Sequence, residues 1–332
     1  MRSLPDEHGA IITAVRPARF IAERHHLIDG LPNALKPHLS PNARAGQTVP
    51  MEHARAAEMS ARVAGLFNRV ADTYDAVGVP WFAPIAERLV AESVPRTGER
   101  ALDLGTGRGA ALWPLAEAVG PTGRVTALDL AEQMVSATHR DATARGLRTV
   151  TLLVADASNP GLPPASYDLA IASLVLFFLP EPGVALRAWW DLLVPGGRLG
   201  VSTFGPRDPA WEDLDDVFTR YLPPQLLDAR TSGIRGPFAT DAGVEALFAA
   251  AGFDSARTTH IDLPVHFNDV DQWRRWSMSH GQLSHWLAVP EPDRDAVLAL
   301  AAERLEAARD PRGGFTLEQR VRFTTGRRPL TG

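Results

Sequence analysis

The chain has no cysteine and one lysine, Lys36, among its 332 residues. Without a thiol there can be no disulfide, no thiolate metal site and no cysteine nucleophile. Their absence also fits a reducing compartment. Without lysine in the main body, Walker-type phosphate binding and Schiff-base catalysis lack their side chain. Positive charge is therefore almost all arginine, and 34 Lys+Arg against 39 Asp+Glu leave a net charge of −5. No global basic field exists to gather nucleic acid, and none is expected as a partner. No run approaches 18 uninterrupted apolar residues, which argues against a membrane span. The opening MRSLPDEHGA carries acids early and lacks an apolar core with a cleavage site, so it does not read as a secretory signal. These absences point to a cytoplasmic protein. The remaining composition, 45% hydrophobic and 22% charged, is that of an ordinary globular chain.

Residues 1–50 stand apart. Six prolines (Pro5, Pro17, Pro32, Pro37, Pro41, Pro50) interrupt them, and only 19–28 could form a short helix. A partly ordered extension is expected, with Met51 as an alternative start. The sharper reading is an arm over a neighbouring subunit, which leaves a homodimer open. Residues 51–98 form a helical segment, with Val63, Leu66, Phe67 and Val70 at helical spacing and a second helix after Pro84. From 99 to 205 short apolar runs at 100–104, 124–129, 149–155, 168–173 and 198–204 alternate with helical stretches at 109–119, 131–145 and 182–193. This rhythm predicts an α/β fold, a Rossmann-like parallel sheet with helices on both faces. Ligands in such sheets bind beyond the carboxyl ends of the strands.

After Phe204 the rhythm breaks. Residues 206–240 read as a helical insertion whose acids, Asp208, Glu212, Asp213, Asp215 and Asp216, suggest a solvated face near a helix start. Residues 241–332 contain a helix at 241–251, a strand at 256–265 and a final strand FTLEQRVRFTTG after the DPRGG turn. An inserted helical cap at about 268–310 holds a tryptophan-rich helix, 269–287, and an amphipathic one, 292–309.

The most informative segment is Ala101-Leu-Asp-Leu-Gly-Thr-Gly-Arg-Gly-Ala110, where the first of those strands turns into a helix. Gly105, Gly107 and Gly109 permit a tight turn and close approach to a ligand. Alone, the spacing also satisfies a nicotinamide-dinucleotide pattern, with a pyrophosphate at the helix N-terminus. Three acids argue otherwise. Asp103 beside the turn would repel a pyrophosphate and attract an ammonium. Asp129 ends the second strand, where a carboxylate accepts ribose hydroxyls. Asp156, after the third, could accept from an adenine amino group. The set suits a nucleoside bearing an amino acid, S-adenosylmethionine. Plainer readings stand beside these: Asp129 as a cap for the helix near Ala131, Asp156 as a turn cap, Tyr74 as core.

DLGTGRG at 103–109, ALD at 127–129, ADA at 155–157 and LVPGGRL at 193–199 resemble the ordered motifs of the class I S-adenosylmethionine-dependent methyltransferases. FNRVADTYD at 67–75 is similar to the entry segment of the ubiquinone/menaquinone type, also called type 11. The resemblance implies a seven-stranded Rossmann-like sheet with a helical substrate cap. It implies S-adenosyl-L-methionine as cofactor and S-adenosyl-L-homocysteine as product. Its binding residues would be Tyr74 (covering the cofactor), Asp103, Gly105, Thr106, Gly107, Asp129, Leu130, Asp156, Ala157 and Ser173.

Ser173-Leu-Val-Leu-Phe-Phe178 is apolar and lacks the Asn/Asp-Pro-Pro-aromatic motif of enzymes that methylate planar nitrogens. A small, largely apolar acceptor is expected, lined by Phe177, Trp273, Trp276 and His280, although a tryptophan stripe is more often core. His280 is the candidate base or substrate-orienting residue. His260 and His266 flank a strand and read as ordinary. No metal-ligand spacing stands out. The cap and the arginine bias resemble actinobacterial enzymes that decorate secondary metabolites. The expected chemistry is O-methylation of a hydroxyl or carboxylate, with the C-terminal carboxylate of a modified short peptide as an alternative acceptor. A non-methylating cyclase or eliminase on the same fold is the rival class.

Overall fold

The computed structural model describes residues 12–14, 48–223 and 234–330. The expected helix at 19–28 lies outside them, as does part of the 206–240 insertion. Helices α1 (Thr48–Val70) and α2 (Phe82–Ser93) precede the main alternation of strand and helix. That alternation runs β2 (Arg100–Leu104), α3 (Leu112–Val119), β3 (Arg124–Asp129), α4 (Glu132–Ala144), β4 (Val150–Val154), β5 (Tyr167–Ser173), α5 (Pro182–Leu192) and β6 (Leu193–Arg207). Strands β7 (Asp254–Phe267) and β8 (Phe315–Arg327) complete the expected seven. An eighth, β1 (Ile12–Ala14), adds to the edge beside β4, giving the order β1-β4-β3-β2-β5-β6-β8-β7. Three residues are too few to signal a strand by periodicity, so only the pairing itself reveals β1.

Strands β1 to β6 run parallel, while β8 is antiparallel to both β6 and β7. The central strands are buried on both faces, as their unbroken apolar runs require. Helix α2 packs closely on β6 because Gly200 has no side chain: a Cβ there would lie 2.0 Å from Ser93 Oγ. Pro84 falls in the first turn of α2, where its missing N–H costs no bond, so the helix starts earlier than the proline suggested.

Helices α6 (Pro209–Asp215) and α7 (Asp241–Ala250) lead to the cap: α8 (Val270–Met278), α9 (Leu283–Ala288) and α10 (Arg294–Leu305). The single helix expected at 269–287 is two helices. Ser279 Oγ bonds back to the Trp276 carbonyl at 2.7 Å, and the chain turns through His280-Gly281 before α9. The acidic face expected at 208–216 also needs correcting. Asp215 is buried and accepts from Gln282 Nε2 at 2.7 Å, while Asp208 caps α6 through the Ala210 amide. The insertion and the cap therefore dock on each other through a buried carboxylate.

Candidate active site

The sheet order reverses between β2 and β5, and the crevice that opens there is where ligands bind in parallel sheets. The loop after β2 lines it with Gly105, Thr106, Gly107, Arg108 and Ala110, joined by Asp103, Tyr74, Phe82 and Ser173. Gly105 has φ +72, and a Cβ on it would sit 2.4 Å from Val175 Cγ2, so only glycine fits. Val175 reaches it because Leu174 adopts a left-handed φ of 57° just past β5. That conformation costs about 1 kcal/mol or more in a non-glycine residue. It is held by the Leu174 amide donating to Ser202 Oγ at 3.0 Å.

Asp103 is 1% exposed at the end of β2. Its Oδ2 is buried without a partner among the described residues. Burial above all, opposed by a hydrogen bond from the Thr106 side chain and reinforced by the Asp129 charge, pushes the Asp103 carboxyl up to about 7. A buried carboxylate without a counter-charge is costly, and a ligand ammonium would supply the missing charge. Asp129 joins two loops: Oδ2 accepts from the Gly107 amide at 2.9 Å and Oδ1 from Ala131 at 2.8 Å. Burial raises its pKa, and those amides pull it back. Asp129 does not cap α4, whose N-cap is Ala131 without a side-chain cap bond; its contact with the Ala131 amide is an i,i+2 turn, and each oxygen keeps a lone pair for a ligand hydroxyl.

Tyr74 lies over the loop, its ring 3.8 Å from where a Gly107 Cβ would be, and stacks on Phe82 at 4.3 Å. Burial, with Asp75 and Asp129 adding, holds the phenol well above its usual range, so the hydroxyl keeps its proton. Asp156 caps a turn by accepting from the Ser158 amide at 2.8 Å, and the Ala157 carbonyl accepts from Trp189 Nε1 at 2.7 Å. Leu130 sits in the turn between Asp129 and α4. Ser173 Oγ meets Ser202 Oγ at 3.2 Å. Among the described residues no three carboxylates or imidazoles gather as metal ligands.

Two supporting residues escaped sequence reading. Arg108 donates to the Ala71 carbonyl at 2.5 Å and to Asp141 at 2.7 Å, tying the end of α1 to the glycine loop and α4. Asn68 accepts from the Gln133 amide at 2.9 Å, so α1 caps α4 and carries Tyr74 over the cleft. Arg108 was visible within the glycine motif, but nothing in the spacing named its partners.

An aromatic layer covers the crevice. Phe177 packs on Phe204 at 5.3 Å and Phe178 at 4.7 Å, Phe67 meets Phe178 at 5.6 Å, and Trp81 meets Phe204 at 5.9 Å. Trp276 continues it, 5.1 Å from Trp81 and 4.4 Å from His280. Trp273 does not belong to this layer. It is fully buried between Phe218 and Trp286 inside the cap, the core reading of the stripe. One helical turn separates the two indoles, and that turn points them at different neighbours. His260 bonds Asp241 and His266 bonds Thr316, both away from the crevice.

Comparison with known proteins matches residues 101–197 to a family described as a methyltransferase domain. A nocamycin O-methyltransferase from Saccharothrix syringae is 37% identical over 281 residues, 80% of this chain and 99% of that protein. Aklanonic acid methyltransferase DauC from a Streptomyces species is 42% identical over 167 residues, 50% of this chain and 76% of that protein. The crystal structure of YcgJ from Bacillus subtilis shares the fold, with a TM-score of 0.51, 17% identity and coverage of 74% of this chain and 98% of that one.

Proposed function

We propose that this chain, which belongs to the class I S-adenosylmethionine-dependent methyltransferases, methylates an oxygen of a polyketide-type natural product. The observation that carries the acceptor class is the reach of the nocamycin relative's similarity. At 80% of this chain it extends well beyond the matched domain at 101–197, into the segments that cover the crevice. Among the described residues no helix is long and apolar enough to cross a membrane.

The residues fit the cofactor. Asp103 presents an unpaired buried oxygen suited to an ammonium-bearing ligand, and the Gly105 turn leaves room for its approach. Asp129 would take the ribose hydroxyls and Asp156 the adenine amino group, with Tyr74 closing over them. The bound cofactor supplies a methyl group already activated on a sulfonium. What the protein adds is alignment and exclusion of water. The aromatic layer of Phe177, Phe178, Phe204, Trp81 and Trp276 supports both, offering apolar, water-excluding surface that suits a flat acceptor. Transfer of that methyl group to an acceptor oxygen would leave S-adenosylhomocysteine, whose sulfur would keep the carbon–sulfur bonding pair. A carboxylate acceptor has no proton to lose and needs no base.

The test is incubation of the full chain with S-adenosylmethionine and aklanonic acid, the acceptor named for the Streptomyces relative. The expected result is release of S-adenosylhomocysteine with a product one methylene heavier, labile to alkali if an ester has formed. Tight S-adenosylhomocysteine binding with no transfer to any aromatic acid or phenol would favour the non-methylating class. Asp129→Ala is expected to weaken S-adenosylhomocysteine binding by about 1–3 kcal/mol, the scale of a charged hydrogen-bond acceptor. Calorimetric titration of the folded variant reads it, and unchanged affinity would remove Asp129 from the ribose site.

A further inference from the structure

His280 occupies the junction that breaks the cap helix. Its ring stands edge-on to Trp276 at 4.4 Å and to Phe82 at 6.1 Å, and Phe82 stacks on Tyr74 over the glycine loop. The row Tyr74–Phe82–His280 thus runs from the cofactor cleft to the aromatic layer. The two ring nitrogens differ. Nδ1 accepts the backbone N–H of Gln282 at 3.4 Å, and Gln282 is itself anchored by its side chain to buried Asp215 at 2.7 Å. Nε2 is sealed from solvent and has no partner among the described residues. In a neutral imidazole, a nitrogen that accepts leaves the proton on the other, so Nε2 carries N–H.

We infer that His280 is an acceptor-binding residue that donates its Nε2–H to a carbonyl or carboxylate oxygen of the methyl acceptor, and does not act as a base. This rests on the methyltransferase reading above and specifies its acceptor side. A nitrogen already bearing its proton cannot remove one from a substrate hydroxyl. Burial, with His285 adding repulsion, holds the ring's pKa down to about 3, so the same neutral donor persists across the working range. The groups near the ring are His285 and, through Gln282, Asp215. A polycyclic acceptor bearing a carboxylate or keto oxygen beside its apolar rings matches one donor set in an aromatic wall. The donor also costs least when paired, since a buried unpaired N–H is destabilising.

Two variants and one spectroscopic readout test this. In the full chain labelled with nitrogen-15 histidine, His280 is expected to show a protonated Nε2 and an unprotonated Nδ1, unchanged from about pH 5.5 to 8.5. Adding aklanonic acid should shift the Nε2 signal whether or not methyl transfer follows, which separates this inference from the activity itself. With a transferred acceptor, His280→Phe keeps a ring but loses the donor, and KM is expected to rise about 10- to 100-fold. His280→Gln restores a neutral N–H and should recover most of that loss. S-adenosylhomocysteine affinity should be the same in both. A proton on Nδ1, titration between pH 6 and 7 tracked by kcat, an Nε2 signal indifferent to the acceptor, or equal KM values for the two variants would overturn it.

Discussion

Asp103→Asn is expected to weaken S-adenosylhomocysteine binding by about 10- to 100-fold, the scale of one hydrogen bond to a charged partner, while making the ligand-free protein more stable at pH 8. Both effects come from one burial. The carboxyl is 1% exposed and holds its proton up to about pH 7, whereas an unfolded aspartate loses it near 3.8. As pH rises from about 4 to 7 the unfolded state gives up that proton first, so the folded wild type loses stability across this window. Above it the penalty is constant, on the order of 1–3 kcal/mol after allowing for the buried amide of the variant. The variant's advantage should therefore be present at pH 8 and gone below about pH 4. Ligand binding runs the other way. An ammonium favours the ionised carboxylate, so wild-type affinity should rise with pH up to about 7 and then level off. Paired thermal melts and titrations at pH 5 and 8 read all of this. An asparagine variant with wild-type affinity would falsify the assignment of Asp103 to the cofactor's amino group, and one with no gain in stability at pH 8 would overturn the raised pKa of its buried carboxyl.

Arg322→Met should destabilise the fold by about 2–5 kcal/mol, more than any single surface ion pair could explain. Arg322 lies in β8 at 1% exposure, donating to Asp241 at 2.7 Å and to the carbonyls of Phe204 and Phe238 at 2.8 and 3.0 Å. Methionine fills much of the volume but leaves both carbonyls without that donor. Asp241 is half-exposed and Asp241→Asn keeps an acceptor oxygen for the guanidinium while removing its counter-charge, so it should cost less than Arg322→Met, about 1–2 kcal/mol. Because Phe204 forms part of the aromatic layer and Phe238 packs on Phe177 at 6.4 Å, the loss should also reach the acceptor. KM for the acceptor should rise while S-adenosylhomocysteine affinity stays near wild type. A urea midpoint shifted equally by both variants would mean that the charge pair, not the carbonyl anchoring, is what matters.

Much of the fold was legible because its signals are local. The runs at 100–104 and 124–129 are strands by their own periodicity, and the helices between them follow from spacing and caps, so a parallel Rossmann-like sheet was determined by short-range pattern. The glycine turn and the acids at 103, 129 and 156 were equally readable, since a strand end followed by Gly-x-Gly names its own position in such a sheet. The places where reading fell short are those where a residue's meaning depends on a distant partner. Nothing around Trp273 and Trp276 says that one faces Phe218 and the other Trp81 and His280. Arg108 shows no sign in sequence of its bond to Ala71, 37 positions away. Asp215 looked like one more surface acid until Gln282, 67 positions on, covered it.

Chemistry follows the same division. Which side chains stand at the carboxyl end of the sheet can be read along the chain, because residue identity and strand register are short-range properties. Their state depends on the folded surroundings. Desolvation of Asp103, the Val175 contact that admits nothing but glycine at 105, and the break at Gly281 that brings His280 to Phe82 all arise from long-range packing. Solvent exclusion and the field of neighbouring charges are properties of the assembled volume, and they set protonation, tautomer and access where the local pattern sets only placement.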